Sequence, residues 1–269
     1  MNIKKSILLV LLLSIATLFS GCDKKEELKA KAEVLKVGME LAYPPFEMSD
    51  KAGNPSGVSV DFAKALGKSM NKEVVIENIA WDGLIPSLKT GKIDLIISSM
   101  TITQERKKSI DFSVPYAQSS LAILANNKSG VNSITDLNQK GKTIAVKKGS
   151  TGHVFAKDNL KEAEILVFDK EAACVLEVVQ GKADGFIYDQ LTIYKNYAKN
   201  KETTVALLQS FQKDFEYWGV ALKQNSPLKA QVDAFITQAK KDGTFDEFAK
   251  THLTEAKKTF DELNVPFFF

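Results

Sequence analysis

Arg106 is the one arginine among 36 basic residues; all the others are lysine. A chain that uses lysine for every other positive charge raises the question of what lysine could not do at that position. Guanidinium presents a planar fork that grips a carboxylate through two parallel hydrogen bonds, whereas an ammonium is a point charge. Arg106 follows Ser98-Ser99-Met100-Thr101-Ile102-Thr103, where an apolar run gives way to hydroxyl residues and Thr103 can cap a helix beginning near Gln104. The stretch Ile144-Ala145-Val146-Lys147-Lys148-Gly149-Ser150-Thr151-Gly152 has the same order: apolar run, glycine turn, then hydroxyls at a helix start. An ordinary strand-to-helix turn would read the same way. In Gly185-Phe186-Ile187-Tyr188-Asp189 an acid ends an apolar run, as either a helix cap or a partner for an ammonium. One guanidinium, one acid and two hydroxyl-rich turns suit a zwitterion that carries both a carboxylate and an ammonium.

These residues need elements that bring them together. Strand-like runs fall at 34–38, 74–79, 94–98, 120–125, 143–146, 165–168, 183–187 and 218–222. Between them, Val60, Ala63, Leu66, Gly67 and Met70 share one helical face, as do Val175, Val178 and Val179 within 170–180. The alternation predicts an α/β fold with largely parallel sheets, in which ligands sit beyond the carboxyl ends of strands. Later, Ser226-Pro227 predicts an N-cap and first helical residue for a helix running to Asp242. Gly243 stops that helix, and Thr244-x-x-Glu247 reads as a capping box for the next. A length of 269 residues accommodates two lobes of roughly 100–130 residues each.

Composition removes several classes of function. With 44% hydrophobic and 26% charged residues the chain is of ordinary globular type. Its formal charge is only +3, two of which come from Lys4 and Lys5, so no nucleic-acid footprint is expected. Two His and two Cys make a His/Cys metal centre an unpromising reading; no metal and no cofactor are expected. At the N-terminus, Lys4-Lys5 precede an apolar run over 7–19, shorter than the roughly 20 residues that cross a bilayer. Residues 1–21 therefore read as a secretory signal peptide. Leu18-Phe19-Ser20-Gly21-Cys22 resembles a bacterial lipoprotein cleavage box, with Phe19 in place of the usual aliphatic residue. That resemblance implies a lipid on Cys22, a charged tether over 22–33 and attachment to a membrane surface. Cys174, among Ala172, Ala173, Val175 and Leu176, then reads as a buried small hydrophobe.

Trp81-Asp82-Gly83-Leu84-Ile85-Pro86-Ser87-Leu88, Gly91-Lys92-Ile93-Asp94, Ser98 through Arg106 and Ile110-Asp111-Phe112-Ser113 resemble the polar amino-acid-binding proteins of bacterial ABC importers. Glutamine, histidine and lysine/arginine/ornithine binders are familiar members. Ala42-Tyr43-Pro44-Pro45-Phe46 and Gly149-Ser150-Thr151-Gly152 add further matches, and the likeness runs from about Leu35 to about Leu253. Gly57-Val58-Ser59-Val60-Asp61 departs from the family pattern at a helix start. The resemblance implies a two-lobed α/β periplasmic-binding-protein type II fold, a Venus flytrap with ligand in the inter-lobe cleft. Lobe 1 would comprise 34–117 plus 218–253, lobe 2 would comprise 118–217, and 254–269 would be a C-terminal tail.

Carried over residue by residue, the resemblance makes Arg106 the clamp on the ligand α-carboxylate, helped by backbone N–H groups of Thr101 and Thr151. Asp189 takes the α-ammonium, with Ser99 and Thr101 as further partners, and Ser150 approaches from the second lobe. Tyr43 and Trp81 match aromatic positions that sandwich the ligand side chain; core filling is the alternative for Trp81. Glu40 matches an acid that contacts that side chain, and Lys147 is similar to a lysine of glutamine-type binders. An acid plus a lysine suits a neutral polar side chain such as glutamine, unless Lys147 and Glu40 pair with each other. Gln190 and His153 neighbour the predicted cleft. The implied protein is a monomeric, lipid-anchored binder in the bacterial cell envelope that delivers an amino acid to an ABC permease and, through it, an ATPase. It is not expected to be an enzyme. The competing readings are a basic amino-acid binder, a cyclohexadienyl-dehydratase-like enzyme, and an adhesin or sensor. The terminal Pro266-Phe267-Phe268-Phe269 either docks on a lobe or is an exposed apolar end.

Overall fold

The computed structural model describes residues 33–269. The expected signal peptide, Cys22 and all of the tether except its last residue lie outside the described residues. Among the described residues, the strands build two five-stranded sheets joined by a short antiparallel ribbon, and a small three-stranded antiparallel sheet of Ala42–Tyr43, Glu47–Ser49 and Pro55–Ser56.

The first sheet runs in the order Lys72–Asn78, Glu33–Met39, Leu95–Ile96, Ala221–Leu222, Asp111–Phe112. Glu33–Met39 pairs in parallel with Lys72–Asn78 along its whole length, and Val37 stands opposite Leu95 on its other side. Ala221–Leu222 then enters antiparallel to both neighbours. One face is covered by the helix Val58–Ser69, whose Val60, Ala63 and Leu66 are fully buried, as the helical spacing predicts, together with Phe62, which that spacing did not include. The other face buries Leu84, Leu88, Ile93 and Ile110 in a separate cluster.

The second sheet runs in the order Glu164–Phe168, Thr143–Lys147, Gly185–Asp189, Leu121–Asn126, Thr204–Leu207. Its first three strands are parallel, and Leu121–Asn126 is antiparallel to both of its neighbours. Leu121–Asn126 is buried at every residue, and the strand period distributes it: Leu121, Ile123 and Ala125 enter one cluster, Ala122 and Leu124 the opposite one. Cys174 is fully buried in the latter cluster, as read from its neighbours.

The ribbon pairs Ala117–Ser119 with Glu216–Trp218, Glu216 opposite Ser119 and Trp218 opposite Ala117. It carries the chain from the first sheet to the second and back. The C-terminal segment docks against it: the Gln118 N–H donates to the Phe268 carbonyl at 2.9 Å, and Gln118 Nε2 donates to the Phe267 carbonyl at 3.1 Å. Phe268 packs against Phe46 and Trp218 at centroid distances of 4.8 and 5.4 Å, so the tail is docked rather than an exposed apolar end.

Two expectations about helix starts are corrected. The helix expected from Pro227 begins at Lys229, because the Ser226 hydroxyl accepts the Leu228 N–H and holds Pro227 in a turn. The capping box over Thr244 and Glu247 does not form. Gly243, at φ 79°, ends the preceding helix and directly precedes Thr244 as the first helical residue. The Thr244 hydroxyl donates to Asp242 Oδ1 at 2.6 Å, and Glu247 pairs with Lys250 instead.

Candidate functional site

The carboxyl ends of parallel strands from both sheets converge on one cleft. On the first side, Leu95–Ile96 runs on into Ser98, Ser99 and Thr101, then into the short helix Gln104–Lys107. The Thr103 hydroxyl caps that helix by accepting the Arg106 N–H at 3.2 Å, as the sequence predicts. The cap fixes where the Arg106 side chain leaves the backbone. Its Nη1 donates to the Thr101 carbonyl at 2.6 Å, and its Nη2 crosses the cleft to the Gly149 carbonyl at 3.1 Å. The guanidinium carbon lies 5.3 Å from the Trp81 ring centroid. Burial pulls the Arg106 pKa down to about 10, so the group stays charged at neutral pH.

On the second side, Thr143–Lys147 leads into Gly149, whose φ of 70° favours glycine, and then into the helix Thr151–Asn159. The Ser150 hydroxyl caps this helix by accepting the His153 N–H at 3.1 Å. A Cβ on Gly152 would stand 2.4 Å from the Ile187 carbonyl oxygen, so only glycine lets the helix approach the strand Gly185–Asp189 this closely. At the end of that strand, Asp189 Oδ1 accepts the Thr192 N–H at 3.0 Å and caps the helix Gln190–Lys199. Asp189 Oδ2 is buried and has no hydrogen-bond partner among the described residues, and the nearby Tyr43 hydroxyl is close enough to favour the charged carboxylate. Burial raises the Asp189 pKa, against the pull of its bond to Thr192.

Glu40, Tyr43, Trp81, Ser99 and Thr101 line one cavity of about 500 Å³ including its open mouth, together with Arg106. Ser150, Thr151 and Asp189 line the same cavity from the other side. Lys147 is buried just behind Glu40 and forms an ion pair with it across the cleft, the pairing left open by the sequence. The Lys147 ammonium also lies 5.3 Å from the Trp81 ring centroid. Gln190 and His153 do not line the cavity: Gln190 donates to the Leu208 carbonyl, and His153 Nδ1 accepts the Gly149 N–H. Among the described residues, no group of three or more His, Cys, Asp or Glu is placed to hold a metal ion.

Two acids in the cavity wall escaped the sequence reading. Glu47 is buried beneath the first side and takes hydrogen bonds from Ser59 at 2.6 Å, Ser98 at 3.2 Å and Ser99 at 3.1 Å. Burial pushes its pKa up to about 8, so the carboxyl keeps its proton at neutral pH and one of these bonds then runs from acid to hydroxyl. Ser98 in turn accepts the Glu40 N–H at 3.0 Å, linking the acid to the cleft edge. Glu216, on the ribbon, accepts from Thr101 at 3.1 Å and Thr151 at 2.8 Å. Glu47 stands one residue past the quoted Ala42–Phe46 motif, and that adjacency was the available signal. Glu216 had none, because it meets Thr101 only through the pairing of Thr101 with Trp218.

The sequence profile of the bacterial extracellular solute-binding proteins, family 3, matches residues 35–255. The chain belongs to this family. It is 30% identical over 219 residues to the L-cystine-binding protein TcyJ of Escherichia coli strain K12, covering 80% of this chain and 81% of that protein. A binding component of an ABC transporter from Wolinella succinogenes, solved with lysine, superposes with a TM-score of 0.76 at 37% identity. That match covers 83% of this chain and 97% of the other. The ancestral amino acid-binding protein AncCDT-1, described as a precursor of cyclohexadienyl dehydratase, gives a TM-score of 0.74 at 37% identity over 82% of this chain and 95% of its own. These likenesses agree with the two-lobed α/β architecture described above.

Proposed function

We propose that this solute-binding protein captures a polar L-amino acid between its lobes and hands it to an ABC permease. The observation that carries the reading is a pair of opposite charges in one cavity. The Arg106 guanidinium enters from one side, and from the other comes Asp189, whose Oδ2 is buried without a partner among the described residues. A carboxylate satisfies the first and an ammonium the second. Each end of the ligand is then held by a different lobe, taken as 34–117 plus 218–253 and 118–217. Ligand thus favours the closed arrangement through its differential affinity for it. Ser99, Thr101, Ser150 and Thr151 supply further polar contacts, and Tyr43 and Trp81 flank the ligand side chain.

In the Glu40–Lys147 pair, Glu40 lines the cavity and Lys147 lies behind it; an acceptor and a donor together suit a neutral polar side chain of the glutamine kind. A basic ligand is the second reading, because Glu171 and Asp189 add acid around the single Lys147 and the Wolinella relative was solved with lysine. Removal of 1–21, a lipid on Cys22 and a monomeric state complete the proposal. They place the protein at the membrane of the cell envelope, beside the permease and its ATPase.

A thermal-shift panel of the twenty common L-amino acids on the purified protein tests the reading. A ligand at 100 times its Kd stabilises by about 2.7 kcal/mol, a shift of several degrees at this size. One or a few polar amino acids should give it; no response from any of the twenty, in folded protein free of carried-over ligand, would overturn the proposal.

A further inference from the structure

Glu216 holds the corner that the proposed function assigns to the ligand carboxylate. Its Oε2 accepts the Thr101 hydroxyl at 3.1 Å from one side of the cleft and the Thr151 hydroxyl at 2.8 Å from the other. Its Oε1 accepts Gln212 Nε2 at 3.2 Å. Burial raises the Glu216 pKa and lowers that of Arg106, and the charge of each offsets part of the other's shift, so the two groups share one electrostatic neighbourhood inside the cavity wall. The ribbon makes this possible. Thr101 pairs with Trp218, and Glu216, two residues earlier on the same strand, projects to the same face.

We infer that Glu216 is a built-in carboxylate that competes with the ligand carboxylate for Thr101, Thr151 and Arg106, and so sets the affinity of the site. This rests on the amino-acid reading above. Two carboxylates served by one guanidinium in a half-buried corner repel each other strongly. A bound amino acid therefore has to loosen Glu216 from the two threonines. Without a ligand carboxylate, the same acid fastens the lobes together through hydroxyls that belong to opposite sides. A glutamine at 216 keeps the length and one acceptor oxygen but removes the charge.

The test is calorimetric titration of wild type and Glu216→Gln with the amino acid giving the largest shift in the twenty-member panel, and with its decarboxylated amine. Glu216→Gln should bind the amino acid at least tenfold more tightly and the amine no more tightly than wild type does. Glu216→Ala, which removes both the charge and the hydrogen bonds to the two threonines, should also tighten the amino acid selectively, which covers failure of the first variant to fold. Unchanged or weakened amino-acid affinity in the folded variants would overturn the inference while leaving the amino-acid reading intact. Equal tightening of amino acid and amine would overturn it as well. No binding of any of the twenty by wild type or variants would overturn both.

Discussion

Asp189 divides its two oxygens between tasks that the sequence offered as alternatives. Oδ1 caps the following helix, and Oδ2 is buried without a partner among the described residues, in a residue that lines the cavity. A carboxylate has four acceptor sites, so helix capping does not preclude a role at the ligand. Arg106 was legible from composition alone, because a lone arginine among lysines marks a place where fork geometry matters. Replacing it with lysine should weaken amino-acid binding about 10- to 100-fold, the range expected from losing one bidentate charged contact. The melting temperature should hardly change, and calorimetry alongside a thermal melt checks both. Glu47 was not legible, since its three serine partners come from Ser59, Ser98 and Ser99 on distant segments. Its folded pKa of about 8 lies above the unfolded value of 4.5. The stability it contributes is therefore fully present below pH 4.5 and lost as pH rises toward 8, a change of about 4 kcal/mol at most. Glu47→Gln should flatten this part of the urea-midpoint profile between pH 5 and 8; an unchanged slope would remove Glu47 as its source.

At the scale of elements, the long buried strands were readable because each keeps its period, as the two-way split of Leu121–Asn126 shows. The short Asp111–Phe112 and Ala117–Ser119, the edge strand Thr204–Leu207 and the break between Trp218 and Ala221 were not. Helix starts were less readable. A cap depends on whether the flanking residue is free to leave helical geometry, and at Gly243 one residue both ends a helix and precedes the next. The stretch Gly149-Ser150-Thr151-Gly152 was legible as a turn into a helix, but not the reason for its second glycine. Gly152 is held against the Ile187 carbonyl, a backbone atom that cannot rotate away. Gly152→Ala should cost about 1–3 kcal/mol by forcing the helix off the strand. It should also displace Ser150 and Thr151 from the cleft, so that urea unfolding and ligand affinity fall together. Lost stability with intact affinity would confine Gly152 to packing.

The whole molecule rests on a ribbon only three residues long on each strand, braced from behind by the C-terminal aromatics. Phe268 touches Trp218, and Trp218 lines the cavity, so the terminus packs directly behind the site. The sequence left this tail undecided because an apolar terminus reads alike whether docked or exposed; only the groove between Phe46, Trp218 and Phe260 decides it. Phe268→Ala should destabilise the fold by about 3–5 kcal/mol, as truncation of a buried phenylalanine does. An effect near zero in urea unfolding would mean that the tail is not docked in solution. The central claim is that one cavity holds both ends of an amino acid, with Arg106 at the carboxylate and Asp189 at the ammonium. It is tested most directly by titrating the wild-type protein with its best amino acid, the des-amino acid and the decarboxylated amine. Both analogues should bind at least about 100-fold more weakly, since each leaves a buried charged group unpaired. An analogue lacking either group that binds as tightly as the amino acid would contradict the account.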